Sequence, residues 1–334
     1  MRTLLLNASQ TDEAAEILKN GGVIAVPTET VYGLAANAFD EKAVLKIFAA
    51  KGRPCDNPLI VHIADLKDIY EVVSNFSLKA IKLAEKFWPG PLTIILPKNP
   101  KIPSIVSAGM DSVAVRFPSN KIAQEIIKKA GVPLAMPSAN LSGKPSATKF
   151  DHVCEDLDGK IDAIIDGRDC SLGVESTVIS LLEDIPRILR PGAITEEDLQ
   201  KIIGEVKVDI AVFEKLESGQ KVLSPGTKYK HYAPNAKVII VKGTREKYSN
   251  FVNSKSVKDA AALCFDEDIP FVKISYISYG SEYDSSEQAH NLFSTLRKAD
   301  EIGAKTIYAH LSESSSLAVY NRLIRAAGFE IIEL

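Results

Sequence analysis

The sequence predicts an α/β protein of two domains joined by a long linker. Three observations predict it. Apolar runs with strand character alternate with stretches of helical spacing through the first two hundred residues, the pattern of a sheet covered by helices. Residues 206–236 then hold little periodicity and carry Ser224-Pro225-Gly226 and Ala233-Pro234. A second alternating block occupies 237–334. The expected organisation is a larger domain over 1–205, a linker or lid over 206–236 and a smaller domain over 237–334.

The elements follow in order. Residues 22–26 are an apolar strand ending at Pro27. Residues 41–50 place Val44, Leu45, Ile47 and Phe48 at helical spacing. Residues 59–63 read as a strand, and 78–88 as a helix stopped by Pro89-Gly90-Pro91. Strands at 92–96 and 113–117 precede a helix at 122–130, with Gly131 as its stop. A short strand at 134–136 feeds a Pro-Ser-Ala-Asn turn. Strands at 163–165, 176–181 and 187–189 complete the first set, and Thr195 caps a helix at 196–203. In the second block, strands are expected at 238–241, 261–265, 271–274, 306–309 and 330–332, with helices at 287–302 and 317–327. Strands separated by helices predict a small parallel or mixed sheet. The stretch 275–281 alternates Ile and Tyr, which favours a strand extension over a loop or a partner surface.

Composition sets outer bounds. The 334 residues are 46% hydrophobic and 25% charged, ordinary for a soluble globular chain. A formal net charge of -3 argues against a protein that grips nucleic acid over its whole surface, and leaves room for a local basic patch. Cys55, Cys154, Cys170 and Cys264 are dispersed, so neither a disulfide framework nor a zinc site is expected. Such thiols fit a reducing cytoplasm. No apolar run approaches the ~20 residues of a membrane helix, and the stretch MRTLLLNASQ lacks a signal-peptide core. A cytoplasmic protein without membrane contact is the expectation.

Four polar clusters follow strand or helix ends in the first block. The first is Pro27-Thr28-Glu29-Thr30-Val31-Tyr32-Gly33-Leu34. It reads either as a strand-to-helix turn with hydroxyl caps or as a polar wall for a small substrate. The second is Lys51-Gly52-Arg53-Pro54 with Asn57-Pro58-Leu59-Ile60-Val61-His62. Its cations either complement a helix end or hold phosphate or carboxylate oxygens. His62 alone reads more readily as a hydrogen-bonded core residue than as a ligand contact. The third, Val113-Ala114-Val115-Arg116-Phe117-Pro118, places a cation in an apolar strand. That arginine either alternates onto a solvated face or awaits an anion. The fourth joins Pro137-Ser138-Ala139-Asn140-Leu141-Ser142-Gly143, Ser176-Thr177-Val178 and Arg190-Pro191-Gly192. None of these is a Walker A loop, a dinucleotide fingerprint or a nucleophile elbow.

In order along one chain, the strings P-T-E-T-V-Y-G-L, K-G-R-P, N-P-L-I-V-H, W-P-G-P-L-T, V-A-V-R-x-P, P-S-A-N-x-S-G and L-R-P-G closely resemble the YrdC-type threonylcarbamoyl-AMP synthases. The segment from Ser224 to Pro234 is similar to the linker signature of that family's two-domain branch, with Thr227 where methionine is usual. The resemblance spans essentially the whole chain and is strongest over 20–200 and the linker. It implies a YrdC-like twisted α/β domain with a concave, positively charged cleft, followed by a smaller Rossmann-like α/β domain.

The same resemblance implies the chemistry. Threonine's amine captures bicarbonate, and the carbamate oxygen attacks the α-phosphorus of ATP with loss of pyrophosphate. The adenylate passes to a downstream threonylcarbamoyl transferase complex that modifies an adenosine of tRNA. Thr30, His62, Arg116 and Ser176 are then expected at threonine, with Arg116 on its carboxylate. Arg53, Asn57, Ser138, Ser146, Arg190 and Tyr232 are expected at ATP, with Tyr232 part of a lid. Lys51 and Arg53 are the expected catalytic cations, and Lys144 joins them, Arg116 and Arg190 in a neutralising set of five. Thr28, Tyr32, Ser112, Met136, Asn140 and Thr177 are second choices. No metal ligands are expected from the protein, because Mg2+ would come with ATP. The competing expectation, from another functional class, is a double-stranded RNA-binding or ribosome-maturation module, with weak tRNA or RNA contact as a lesser possibility within the enzyme reading.

Overall fold

The structure, a computed structural model, describes residues 2–214, 232–255, 259–312 and 314–334. Of the expected linker signature, residues 224–231 lie outside the described residues. The described chain divides into two units. One holds 2–142, Ala147–Ser171 and 175–214, and the other holds Gly143–Ser146, Leu172–Val174 and the described residues of 232–334.

The first unit is built on one mixed sheet. Its strands are β1 (Leu4–Asn7), β2 (Ile24–Val26), β3 (Gly33–Asn37), β4 (Ile60–His62), β5 (Leu92–Pro97), β6 (Ser112–Arg116), β7 (Leu134–Ala135), β8 (Ala163–Asp166), β9 (Thr177–Ser180), β10 (Arg187–Arg190) and β11 (Lys207–Val208). Their spatial order is β1-β8-β2-β3-β7-β4-β6-β5-β9-β10-β11. Successive strand side chains point to opposite faces. In the central strands one face therefore carries Val61, Ile94, Val113, Val115 and Ile179, all in the main apolar core. The opposite face carries Ile60, Ile95, Ala114 and Val178, a separate small apolar cluster joined by Leu189. A second cluster packs helices Thr11–Lys19 and Lys121–Ala130 against Leu6, Ile24, Val26 and Ile165. Burying each such Leu, Ile or Val side chain contributes about 1.5–3 kcal/mol.

Helix ends follow the sequence closely. Asp40 caps Glu41–Lys51, and Gly52 ends it in the left-handed conformation at φ 61°. Asn120 caps Lys121–Ala130, which stops at Gly131. Thr195 and Asp198 form a reciprocal capping box on Glu196–Ile203.

The structure departs from the sequence reading in five places. Pro27 to Leu34 is not a strand-to-helix turn. It joins β2 to antiparallel β3, with Val26 opposite Gly33. β3 itself (GLAAN) was not anticipated, because glycine and alanine carry little strand preference and only its neighbours make it a strand. Helices Thr11–Lys19, Phe150–Leu157 and Arg245–Asn253 also went unread. Residues 271–274 are not a strand. A 3₁₀ turn containing Pro270 runs over Asp266–Phe271, Val272 N–H bonds back to Ile269, and the strand follows at Ser275–Ser278. The segment read as linker also opens with structure: β11 pairs in parallel with β10, and Asp209 caps a short turn at Ile210–Val212.

The second unit has five strands, β12 (Lys237–Lys242), β13 (Ala260–Cys264), β14 (Ser275–Ser278), β15 (Thr306–Leu311) and β16 (Ile331–Glu333), in the order β14-β13-β15-β12-β16. Every pairing is parallel, so helices Arg245–Asn253, Ser285–Glu301 and Leu317–Ala326 serve as crossovers. This is the Rossmann-like arrangement expected of the second block. At the carboxyl end of its sheet, buried His310 bonds Asp268 at 2.7 Å and stacks on Tyr248.

Candidate active site

Sheet register builds the site. His62 pairs with Arg116 across β4 and β6, and Arg116 pairs with Thr93 across β6 and β5. The three residues alternate away from the main core, onto the face whose apolar floor is Ile60, Ile95, Ala114, Val178 and Leu189. Ser176 immediately precedes β9 and is fully buried. A bulge in β10 leaves Leu189 as the extra residue and sets Arg190 opposite Val178, on that same face.

Arg116 is buried. Its Nη2 pairs with Glu29 Oε1 at 2.8 Å, its Nη1 donates to Thr30 Oγ1 at 2.8 Å, and its Nε donates to Gly90 O at 3.3 Å. Thr28 Oγ1 lies 2.9 Å from Thr30 Oγ1 and donates to Val31 O. Glu29 was not among the expected site residues, although the motif prints an acid there. Burial pushes its carboxyl up, but the Arg116 charge and hydrogen bond and the Ser119 N–H together hold it below the usual carboxylate value. Its Oε2 is buried with no hydrogen-bond partner.

His62 is the electrostatic counterpart. Burial first, then the charge of Arg116, holds its imidazole well below the ordinary value, so the neutral form is favoured. Nδ1 faces the Ile60 carbonyl at 3.2 Å. A carbonyl only accepts, so Nδ1 carries the proton and Nε2 is an acceptor. The unfolded imidazole protonates near the reference value of 6.5. The stabilising contribution of neutral His62 is thus complete above that pH and lost as the pH falls below it. The urea midpoint of the wild type is expected to drop more between pH 7.5 and pH 5.0 than that of His62→Gln. Equal drops would mean that His62 takes up its proton in the folded protein as readily as in the unfolded one.

The second cluster lies at the end of helix Glu41–Lys51. Lys51 is buried, and its Nζ donates to the carbonyls of Ser138 and Asn140. The lysine therefore fixes the Ser-Ala-Asn turn as well as placing a charge there. Half-buried Ser138 is bridged to Gly33. Arg53 Nη2 donates to Pro58 O at 3.1 Å. Asn57 is buried, and neither its Oδ1 nor its Nδ2 has a hydrogen-bond partner. An unpaired buried amide costs about 1–3 kcal/mol, and such orphaned groups concentrate where a ligand completes them.

In the fourth cluster, Arg190 donates through Nε to Ser176 O at 3.0 Å and through Nη2 to Ser176 Oγ at 3.1 Å. Thr93 Oγ1 lies 2.7 Å from Ser176 Oγ. Gly192 passes so close that a Cβ there would lie 2.4 Å from Thr177 N, which explains the glycine after Arg190-Pro191.

Several expected residues point elsewhere. The Tyr32 hydroxyl donates to Arg168 O and accepts from Gly167 N–H, which ties it to the loop after β8. Thr177 Oγ1 is held by Ile194. Ser112 begins β6, at the opposite end from Arg116. Met136 packs in the cluster under the two helices and against Gly33. Ser146 and Tyr232 belong to the second unit, as does Lys144. There Tyr232, at φ 65°, packs on Phe293 with ring centroids 5.1 Å apart, and the Arg322 guanidinium lies 6.0 Å over its ring. Sequence reasoning missed Glu29 and Thr93. The alternation in W-P-G-P-L-T-I-I-L, with one polar residue among apolar ones, is the signal that marks Thr93.

Residues 16–192 match the family model described as "Telomere recombination", and residues 194–328 match "Threonylcarbamoyl-AMP synthase, C-terminal domain". A threonylcarbamoyl-AMP synthase of Pyrococcus abyssi is 44% identical over 350 residues, covering 99% of this chain and 100% of the relative. The chain belongs to the threonylcarbamoyl-AMP synthase family. The Bacillus subtilis threonylcarbamoyl-AMP synthase is 43% identical, with coverage of 98% of this chain and 96% of its own. The crystal structure of P. abyssi Sua5 complexed with L-threonine superposes with a TM-score of 0.91 at 42% identity, covering 99% of this chain and 100% of that one. The buried Glu29–Arg116 pair and the hydroxyl cluster of Thr28, Thr30, Thr93 and Ser176 thus sit in a threonylcarbamoyl-AMP synthase fold. No helix among the described residues is long and apolar enough to cross a membrane.

Proposed function

We propose that this chain condenses L-threonine, bicarbonate and ATP to threonylcarbamoyl-AMP and pyrophosphate, the activated donor for a transferase that modifies tRNA. The observation that carries the reading is near-full-length identity of 43–44% to two threonylcarbamoyl-AMP synthases, joined to the fold match with a relative crystallised with L-threonine. The double-stranded RNA-binding alternative has no comparable support.

The site geometry fits an amino acid. Arg116, beside Thr30, presents donors for the carboxylate. Glu29 Oε2, buried and without a partner, is the acceptor for the α-ammonium group. Neutral His62 offers Nε2 to the threonine hydroxyl. In the first step the amine forms a C–N bond to the bicarbonate carbon. Water leaves, and one proton is released. In the second step a carbamate oxygen bonds to the α-phosphorus, and the bond to the β-phosphate oxygen breaks. Little covalent work falls to the protein, so positioning and charge dominate. Lys51, Arg53 and Arg190 supply fixed positive charge, and Asn57 and Ser138 provide polar contacts for the nucleotide. Magnesium would come with ATP and would add positive charge at its phosphates beside Lys51, Arg53 and Arg190.

The test is incubation of the full chain with MgATP, bicarbonate and labelled threonine, each omitted in turn. A labelled adenylate with pyrophosphate release, dependent on all three, is expected. ATP binding without product would point to a different amine, and salt-sensitive RNA binding without ATP binding would favour the alternative.

A further inference from the structure

We propose that helix Ser285–Glu301 positions two site loops, with Arg297 as the positioning residue on the nucleotide side and Gly173 as the one on the threonine side. Two short excursions of the chain, Gly143–Ser146 and Leu172–Val174, belong to the second unit, while the residues that flank them belong to the first. Both excursions rest on this one helix. Arg297 is buried, and its Nη2 donates to Pro145 O at 2.7 Å. Gly173, at φ 74°, lies so close to the helix that a Cβ would sit 2.3 Å from His290 O. His290, Phe293 and Arg297 are spaced by three and four residues, so they share one helix face. Phe293, between the other two, carries the Tyr232 ring, and the next residue, Ala233, donates its N–H to Gly143 O at 3.0 Å.

Each excursion leads directly into site residues. Ser142 N–H bonds to Lys51 O at 2.9 Å, and Lys51 Nζ holds the carbonyls of Ser138 and Asn140. On the other side of Ser146, Ala147 O accepts from Tyr32 N–H at 2.8 Å. Pro145 is therefore suspended between two anchors, and Arg297 fixes the chain between them. Leu172–Val174 ends two residues before Ser176, whose carbonyl and hydroxyl receive Arg190. Segments this short have little slack, since the reach of a chain is set by its residue count. A shift at Pro145 is passed to the Ser-Ala-Asn turn, and a shift at Gly173 is passed to Ser176.

This inference rests on the threonylcarbamoyl-AMP reading of the site. It is tested on the full chain by steady-state pyrophosphate release from Arg297→Met, Arg297→Lys and Gly173→Ala, with thermal melts beside them. Loss of folded protein lowers kcat alone, because the molecules that remain bind substrate as before, whereas misplaced loops change KM. Arg297→Met keeps an apolar stem and removes the donor. It is expected to raise the KM for ATP about tenfold with little change in that for threonine, and Arg297→Lys, which returns a donor, to restore most of it. Gly173→Ala is expected to show the reverse split, a rise of about tenfold in the KM for threonine. If Gly173→Ala does not fold, the two Arg297 variants decide the matter. Lowered kcat with both KM values unchanged, or equal shifts in the two KM values, would overturn the proposal. A wild-type protein without threonine-dependent turnover would overturn the reading of the site itself, which is a different result from unmoved KM values in variants of an active enzyme.

Discussion

Arg116→Ala is expected to lower kcat/KM for threonine by about 10²–10³-fold and to destabilise the protein by about 3–5 kcal/mol. Both effects follow from one geometry. The guanidinium pairs with Glu29 and holds the Thr30 hydroxyl in the buried site. Its removal deletes the partner of an incoming carboxylate and leaves the buried Glu29 carboxylate without its counter-charge, held by the Ser119 N–H. The two effects separate in the paired variant Glu29→Gln/Arg116→Met. Replacing a buried ion pair by uncharged groups of similar volume costs little, so the melting temperature should recover most of its loss while threonine turnover stays low. Pyrophosphate release dependent on threonine, measured beside a thermal melt, reads both. Recovery of turnover together with stability would show that Arg116 serves the fold alone.

Asn57→Leu is expected to change activity and stability in opposite directions. Asn57 is buried with both amide atoms unpartnered. Exchange for a side chain of similar shape removes an unpaid desolvation cost, and the melting temperature should hold or rise by a few degrees. If the amide is completed by nucleotide, the same change raises the KM for ATP by about 10–100-fold, equivalent to about 1–3 kcal/mol. Isothermal titration with a non-hydrolysable ATP analogue and a melt in its absence give the two readings. A destabilised variant with unchanged nucleotide affinity would assign Asn57 to the fold. Opposite signs of this kind are expected where a polar group is retained for function at the expense of packing.

Much of this site was legible because its residues interrupt strong local patterns. Arg116 stands out as a cation in an apolar strand, and its burial removes the solvated-face alternative. Lys51-Gly52 stands out as a helix end, although the lysine reaches loop carbonyls rather than solvent. Glu29 and Thr93 were not legible, since their meaning depends on partners brought together by the sheet. Nothing near Glu29 in the chain announces Arg116, and a lone threonine in a strand is ordinary. Tyr32 and Thr177 were misleading for the converse reason. Their motif neighbours face the pocket, while their own hydroxyls are consumed by backbone groups. In the fold, long periodic elements were readable and short ones were not. β11 has two residues and β3 is mostly alanine and glycine, so both exist through pairing rather than preference.

The alternation of β4, β5 and β6 has a consequence for how this enzyme tolerates change. Val61, Ile94, Val113 and Val115 belong to the core, and His62, Thr93, Ala114 and Arg116 are interleaved with them on the opposite face. A selection that reads growth alone would record each strand as an unbroken block of intolerance. A library scored for abundance as well as for growth would resolve that block into two combs offset by one residue, one in which variants vanish from the cell and one in which they accumulate without working.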